Sequence, residues 1–153
     1  MRAIVLGLMV SLAPVAMAED GRPSPEEAKK VAEYFYHGKG KAPVLMETKV
    51  CRDVQKEGDE KFECSGDVTG KPVKKGQAAY VWMAYMAPDG AETQNVTVAF
   101  ELNGAARITK NAKFDGLLRG RTWLKYTFDK PGTWKVKIAL GAEELGTREI
   151  TVE

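Results

Sequence analysis

The sequence predicts a mainly β protein, an antiparallel two-sheet sandwich with one short N-terminal helix. Three observations predict it. Short stretches after Lys41 alternate apolar and polar residues at period two. Turn signals, among them Pro88-Asp89-Gly90, Asn103-Gly104 and Pro131-Gly132, separate those stretches at short intervals. No strand–helix alternation accompanies them, which argues against a parallel sheet.

The 153 residues divide into three expected segments: a leader over 1–18, an N-terminal segment over 19–41 and the sandwich over 42–153. Met1-Arg2 is a short positive start, Ala3 to Leu12 is apolar, and Ala16-Met17-Ala18 fits a small-x-small cleavage rule, so Glu19 is expected to begin the mature chain. The apolar run is shorter than the roughly 20 residues of a membrane-spanning helix, and no later run reaches that length. A periplasmic or secreted location follows from this reading. Export favours pairing of the two cysteines, Cys51 and Cys64.

Ser24-Pro25-Glu26-Glu27 combines an N-cap, a first-turn proline and the acid of a capping box. Ala28, Val31, Ala32 and Phe35 follow at helical spacing, and Gly38 and Gly40 stop the run, so a helix is expected over 25–36. Val44, Met46, Thr48 and Val50 then alternate with Leu45, Glu47, Lys49 and Cys51 in a first strand. Lys61 to Cys64 is expected as the second. A hairpin centred between Glu57 and Gly58 would set Cys51 opposite Cys64 as a cross-strand staple.

Ala78 to Ala87 is apolar on both faces and reads as a central strand. Val96, Val98, Phe100 and Leu102 alternate cleanly, and Asn103-Gly104 turns the chain into a return strand over 105–109, because both turn positions need positive φ. A short strand or a long connection covers 111–120. Thr122 to Phe128, Trp134 to Leu140 and Arg148 to Glu153 complete about eight strands. Trp82 lies in the doubly apolar strand and Trp134 heads an apolar stripe, so both are expected in the core. Trp123 is out of phase with Leu124 and Tyr126, which marks it as the tryptophan expected to be exposed.

Arg121-Thr-Trp-Leu, Asp129-Lys-Pro-Gly-Thr-Trp-Lys-Val, Leu145-Gly and Ile150-Thr-Val resemble the end of a bacterial immunoglobulin-like domain. With Tyr34-Phe-Tyr-His-Gly-Lys-Gly, Pro43-Val-Leu, the cysteine pair, Lys75-Gly, Val81-Trp-Met and Asn103-Gly, most of the mature chain is similar to small exported bacterial proteins of that kind, whose function is unknown. The resemblance implies a fold and a compartment, not an activity. The chain departs from antibody-type domains. Both cysteines precede Trp82, and Phe62 stands two positions before the second, so the inter-sheet disulfide of those domains is not expected.

Recognisable catalytic chemistry is sparse. Ser24 and Ser65 lie in no Gly-x-Ser-x-Gly elbow, and the single histidine, His37, sits at an expected helix end. A bridged cysteine pair supplies no thiolate nucleophile, and one histidine cannot build a zinc site. Asp53, Glu57, Asp59, Glu60 and Glu63 lack the alternation of a calcium loop, and Lys56 and Lys61 are interleaved. Gly38-Lys39-Gly40-Lys41 follows a helix instead of opening one, unlike a phosphate cradle. No catalytic residue, metal or cofactor is assigned.

The balance of 23 basic against 21 acidic residues does not carry a dominant nucleic-acid footprint. Candidate binding surfaces are Tyr34, Tyr36 and His37 on the helix, the basic loop of Lys71, Lys74 and Lys75, and Trp123. The expected function is a non-enzymatic exported module of the bacterial cell envelope that docks to another envelope protein. A polysaccharide-binding module and a carboxylate-dependent hydrolase are the alternatives.

Overall fold

A computed structural model of the chain describes residues 31 and 43–153. The expected leader, the helix over 25–36 except Val31, and the surface residues Tyr34, Tyr36 and His37 lie outside the described residues. Eight antiparallel strands follow: β1 (Val44–Val54), β2 (Cys64–Asp67), β3 (Ala78–Met86), β4 (Gln94–Leu102), β5 (Ala105–Phe114), β6 (Gly120–Thr127), β7 (Gly132–Leu140) and β8 (Glu143–Val152). They form two four-stranded sheets, ordered β2-β1-β3-β6 and β5-β4-β7-β8. The chain changes sheet between β3 and β4, between β5 and β6, and again between β6 and β7. This is the Greek-key order of an immunoglobulin-like sandwich.

Alternation decides what the sheets bury. Val96, Val98 and Phe100 of β4 and Trp134, Val136 and Ile138 of β7 are fully buried, and they face Val50, Val81 and Met83 of the other sheet. Phe100, Tyr126, Phe128 and Trp134 form an aromatic cluster, with ring centroids 4.3 Å apart for Phe100–Tyr126 and 5.3 Å for Phe128–Trp134. Such pairs add about 0.5–1.5 kcal/mol each beyond the area they bury. The β4–β5 turn is as expected, with Asn103 at φ 49° and Gly104 at φ 82°.

Several boundaries differ from expectation, each for a local reason. The second strand is Cys64–Asp67, not 61–64, because Phe62 turns into the left-handed region at φ 72°. Backbone bonds fold the preceding segment on itself: Lys61 N–H donates to Gly58 C=O and Phe62 N–H to Gln55 C=O. The return strand continues past 109 to Phe114, because Ala112 and Phe114 bury against the core. The last strand starts at Glu143, since Gly141 at φ 59° turns the chain within two residues.

Met46 is the fourth difference. The β1–β3 register shifts between Leu45 and Glu47, which leaves Met46 as the extra residue of a β-bulge. Leu45 therefore packs against the main core before the bulge and Val50 after it, while Met46 is thrust outward and is 53% exposed.

Candidate functional site

β3 explains why the outer face of the first sheet is unusual. Val81, Met83 and Tyr85 point into the sandwich, but Trp82 and Ala84, in the opposite phase, are also buried. They form a second, smaller cluster with Cys51 and Val54, against which Tyr80, Trp123 and Cys64 pack. Trp82 is thus buried as expected, but in this outer cluster and not between the sheets. Trp134 is in the main core.

The disulfide predicted from export joins Cys51 to Cys64, with Cα atoms 5.6 Å apart. The two are not ladder partners: Cys51 registers with Asp67 and Cys64 with Val54. Alternation along β1 breaks at this point, since Val50 and Cys51 are both buried, Arg52 and Asp53 are exposed, and Val54 is buried again. The bridge therefore joins residues three positions apart in the β1–β2 register and closes the 55–63 loop onto the outer face.

Three further contacts fix that loop. Trp82 Nε1–H donates to the Phe62 carbonyl at 2.7 Å. The Phe62 ring stands 5.6 Å from the Trp123 ring. Arg121 Nε donates to Glu63 Oε1 at 3.0 Å. Trp123 is half-buried, so it is the most exposed of the three tryptophans, as expected from its phase, but not fully open to solvent. It lies opposite Trp82 in the β3–β6 ladder, so the second tryptophan and Phe62 cover it.

Beside this corner lies a groove of about 470 Å³, within the size range of small-ligand and peptide-anchor sites. Met46, Trp82, Ala84 and Met86 supply its apolar lining, and Glu47, Lys49, Glu63, Arg119 and Arg121 supply its charged lining. Lys49 pairs with Glu47 at 3.1 Å. The Lys49 ammonium lies 5.4 Å and the Arg121 guanidinium 5.3 Å from the Trp82 ring centroid. These cations over the indole explain how a side chain on an outer sheet face is only 1% exposed.

Both carboxylates of the groove are held in ion pairs with cations. Among the described residues no group of three or more His, Cys, Asp or Glu side chains is arranged to hold a metal ion. No described helix is long and apolar enough to cross a membrane.

Lys71, Lys74 and Lys75 are exposed on the loop between β2 and β3. That loop is tied to the end of β8: Val73 N–H donates to Thr151 C=O and Lys75 N–H to Glu153 C=O. It runs into β3 opposite Thr127, four positions along β6 from Trp123, so the lysines and the tryptophan are separate features. The Lys71 charge helps hold Asp67 below its ordinary range. Burial pushes that carboxyl up, but the Thr69 hydrogen bonds, with Lys49 and Lys71, outweigh it.

Met46, Glu47, Lys49, Glu63, Arg119 and Arg121 were absent from the candidate surfaces expected from sequence. One signal pointed to them. An apolar residue in both phases of β3 requires something to cover the second face, and the outward phase of β6 reads Arg121, Trp123, Lys125.

No family model and no curated protein matches the chain. Solved structures do. The CARDB domain of a Pyrococcus furiosus protein, in complex with di-metal ions, is similar at 12% identity and TM-score 0.43, over 74% of this chain and 89% of that one. An immunoglobulin-like protein from Pseudomonas aeruginosa is similar at 12% identity and TM-score 0.44, over 73% and 97%. Immunoglobulin-like and CARDB domains are thus among the chain's structure neighbours. An alkylpurine DNA glycosylase from Pseudomonas fluorescens, bound to DNA containing an abasic site analogue, is similar at 13% identity and TM-score 0.46, but over only 34% of its own length. At these identities the likeness concerns the fold alone.

Proposed function

We propose that the chain is a non-enzymatic exported module of the bacterial cell envelope that docks to another envelope protein through the outer face of its disulfide-bearing sheet. The observation that carries this reading is the groove beside Trp82. A bulge turns Met46 outward next to a buried tryptophan, and paired charges rim the apolar lining. Interfaces have that anatomy, an apolar centre with Met and Arg inside a polar rim. The Cys51–Cys64 bridge and the leader-like start of the sequence support an oxidising compartment.

A second reading has an observation of its own. Tyr80, Trp82, Trp123 and Phe62 gather on one sheet face, as aromatic residues do in polysaccharide-binding modules. Trp82 is covered by Lys49 and Arg121, however, so a sugar would first have to displace them. This favours the protein partner.

The test compares the wild-type chain with Met46→Asp as baits in chemically crosslinked native envelopes, beside a titration of envelope glycans followed by tryptophan fluorescence. The docking reading expects a crosslinked partner protein that Met46→Asp loses, an unchanged melting temperature and no fluorescence shift with glycan. Equal recovery by both baits, a saturable glycan response, or turnover of ester, glycoside or peptide substrates at enzyme-like rates contradicts it.

A further inference from the structure

The side of the sandwich formed by β5 and β6 is one-sided in charge. Apart from the two arginines of the groove, residues 105–127 hold four cations, Arg107, Lys110, Lys113 and Lys125, against the single acid Asp115, in a chain whose formal charge is only +2. β5 and β6 are edge strands of opposite sheets and come together there, where Lys110 Nζ donates to the Lys125 carbonyl at 3.0 Å. Arg107, Lys113 and Lys125 are exposed. None of Arg107, Lys110, Lys113 and Lys125 forms a salt bridge with a described residue. The Asp115 carboxylate accepts from the Thr93 hydroxyl at 2.8 Å.

The four sheet edges differ in what they leave open. β2 has only four residues. The end of β8 is bridged in parallel by Val73. A carbonyl of β6 is taken by Lys110. β5 runs ten residues, bonds to β4 alone, and carries Ile108, 41% exposed, between Arg107 and Lys110.

We infer that the cationic side along the free edge of β5 docks an acidic, extended polypeptide segment of a partner protein. This rests on reading the chain as a binding module but uses a surface other than the groove. An unpaired edge offers backbone N–H and C=O groups in a row, and an added strand satisfies them. The flanking cations repel the same edge of a second copy and attract an acidic strand, giving selection and a faster encounter. A polypeptide is favoured over other polyanions because it alone can extend the β ladder.

The experiment titrates the full chain against a labelled peptide of alternating Glu and Val, by fluorescence anisotropy. The same peptide with alternate backbone N-methyl groups, a Lys–Val peptide, duplex DNA and dextran sulfate run beside it. The expected result is saturable binding of the Glu–Val peptide, weakened about tenfold in Arg107→Gln/Lys113→Gln and weakened again as salt rises from about 50 to about 300 mM. The N-methylated and Lys–Val peptides bind poorly. Lys125→Gln, on the neighbouring strand, weakens binding in the same direction and guards against misfolding of the double variant. Met46→Asp leaves peptide binding unchanged, which separates this surface from the groove. Failure to bind the Glu–Val peptide, equal binding by the charge variants or by the N-methylated peptide, or tighter binding of DNA or dextran sulfate overturns the inference.

Discussion

Gly120 opens β6 where the Tyr85 ring lies flat against the backbone. A Cβ at this position would meet the ring at 2.0 Å. Tyr85 cannot easily move away, because its ring stacks on Phe114 at a centroid distance of 4.0 Å and its hydroxyl accepts from Asp115 N–H at 2.8 Å. Gly120→Ala is therefore expected to cost about 1–3 kcal/mol by overpacking, read as a lower urea midpoint with unchanged slope. An unchanged midpoint would show that Tyr85 yields freely. Asp67 gives a pH-dependent counterpart. Its carboxyl is held below the ordinary 3.8, so the stability it supplies is complete above that value and is lost as pH falls through the lowered folded-state value. Asp67→Asn should flatten the acid limb of melting temperature against pH, and coincident limbs for the two proteins would refute the role. The sequence alone flags neither residue. A glycine at a strand start and an aspartate before Val-Thr are ordinary until the fold sets Tyr85 and Thr69 beside them.

At the scale of elements, legibility follows regularity. β4 and β7 alternate without interruption on their buried faces, and sequence periodicity places both within a residue or two. β1 does not: a bulge at Met46 shifts the phase, and Val50 and Cys51 are buried on opposite faces, so its burial pattern follows no single period. Period-two reasoning cannot detect an added residue, because a bulge is specified by what packs around it. The disulfide loop shows the same limit. Pairing of Cys51 with Cys64 follows from compartment and count, but the path between them depends on Phe62 in the left-handed region and on Trp82 reaching its carbonyl. Reducing the bridge is expected to lower stability by about 3 kcal/mol through the freed loop in the chain-entropy model. It should also loosen Phe62 from Trp123, seen together as a lower melting temperature and altered tryptophan emission. Loss of stability with no change in emission would place the loop's anchorage in the Trp82 and Arg121 bonds instead.

The two outer faces of the sandwich differ in character. On the β5-β4-β7-β8 sheet, Lys135 and Lys137 of β7 pair with Glu149 and Glu101 at 3.7 and 2.7 Å, a solvated surface of ordinary kind. On the β2-β1-β3-β6 sheet, outward residues bury a tryptophan, anchor a disulfide loop and leave a groove. Composition and turn spacing sufficed to read the layered architecture. They could not show which outer face buries aromatic side chains, because that depends on cross-strand neighbours such as Trp82 and Trp123, 41 positions apart in the chain. Position-resolved photocrosslinking in the native envelope tests this asymmetry most directly. A photoreactive residue at Met46 is expected to capture one discrete partner protein, and the same residue at Lys135 none. Matching adducts from both faces, or none from Met46, would contradict a docking role for the disulfide-bearing sheet.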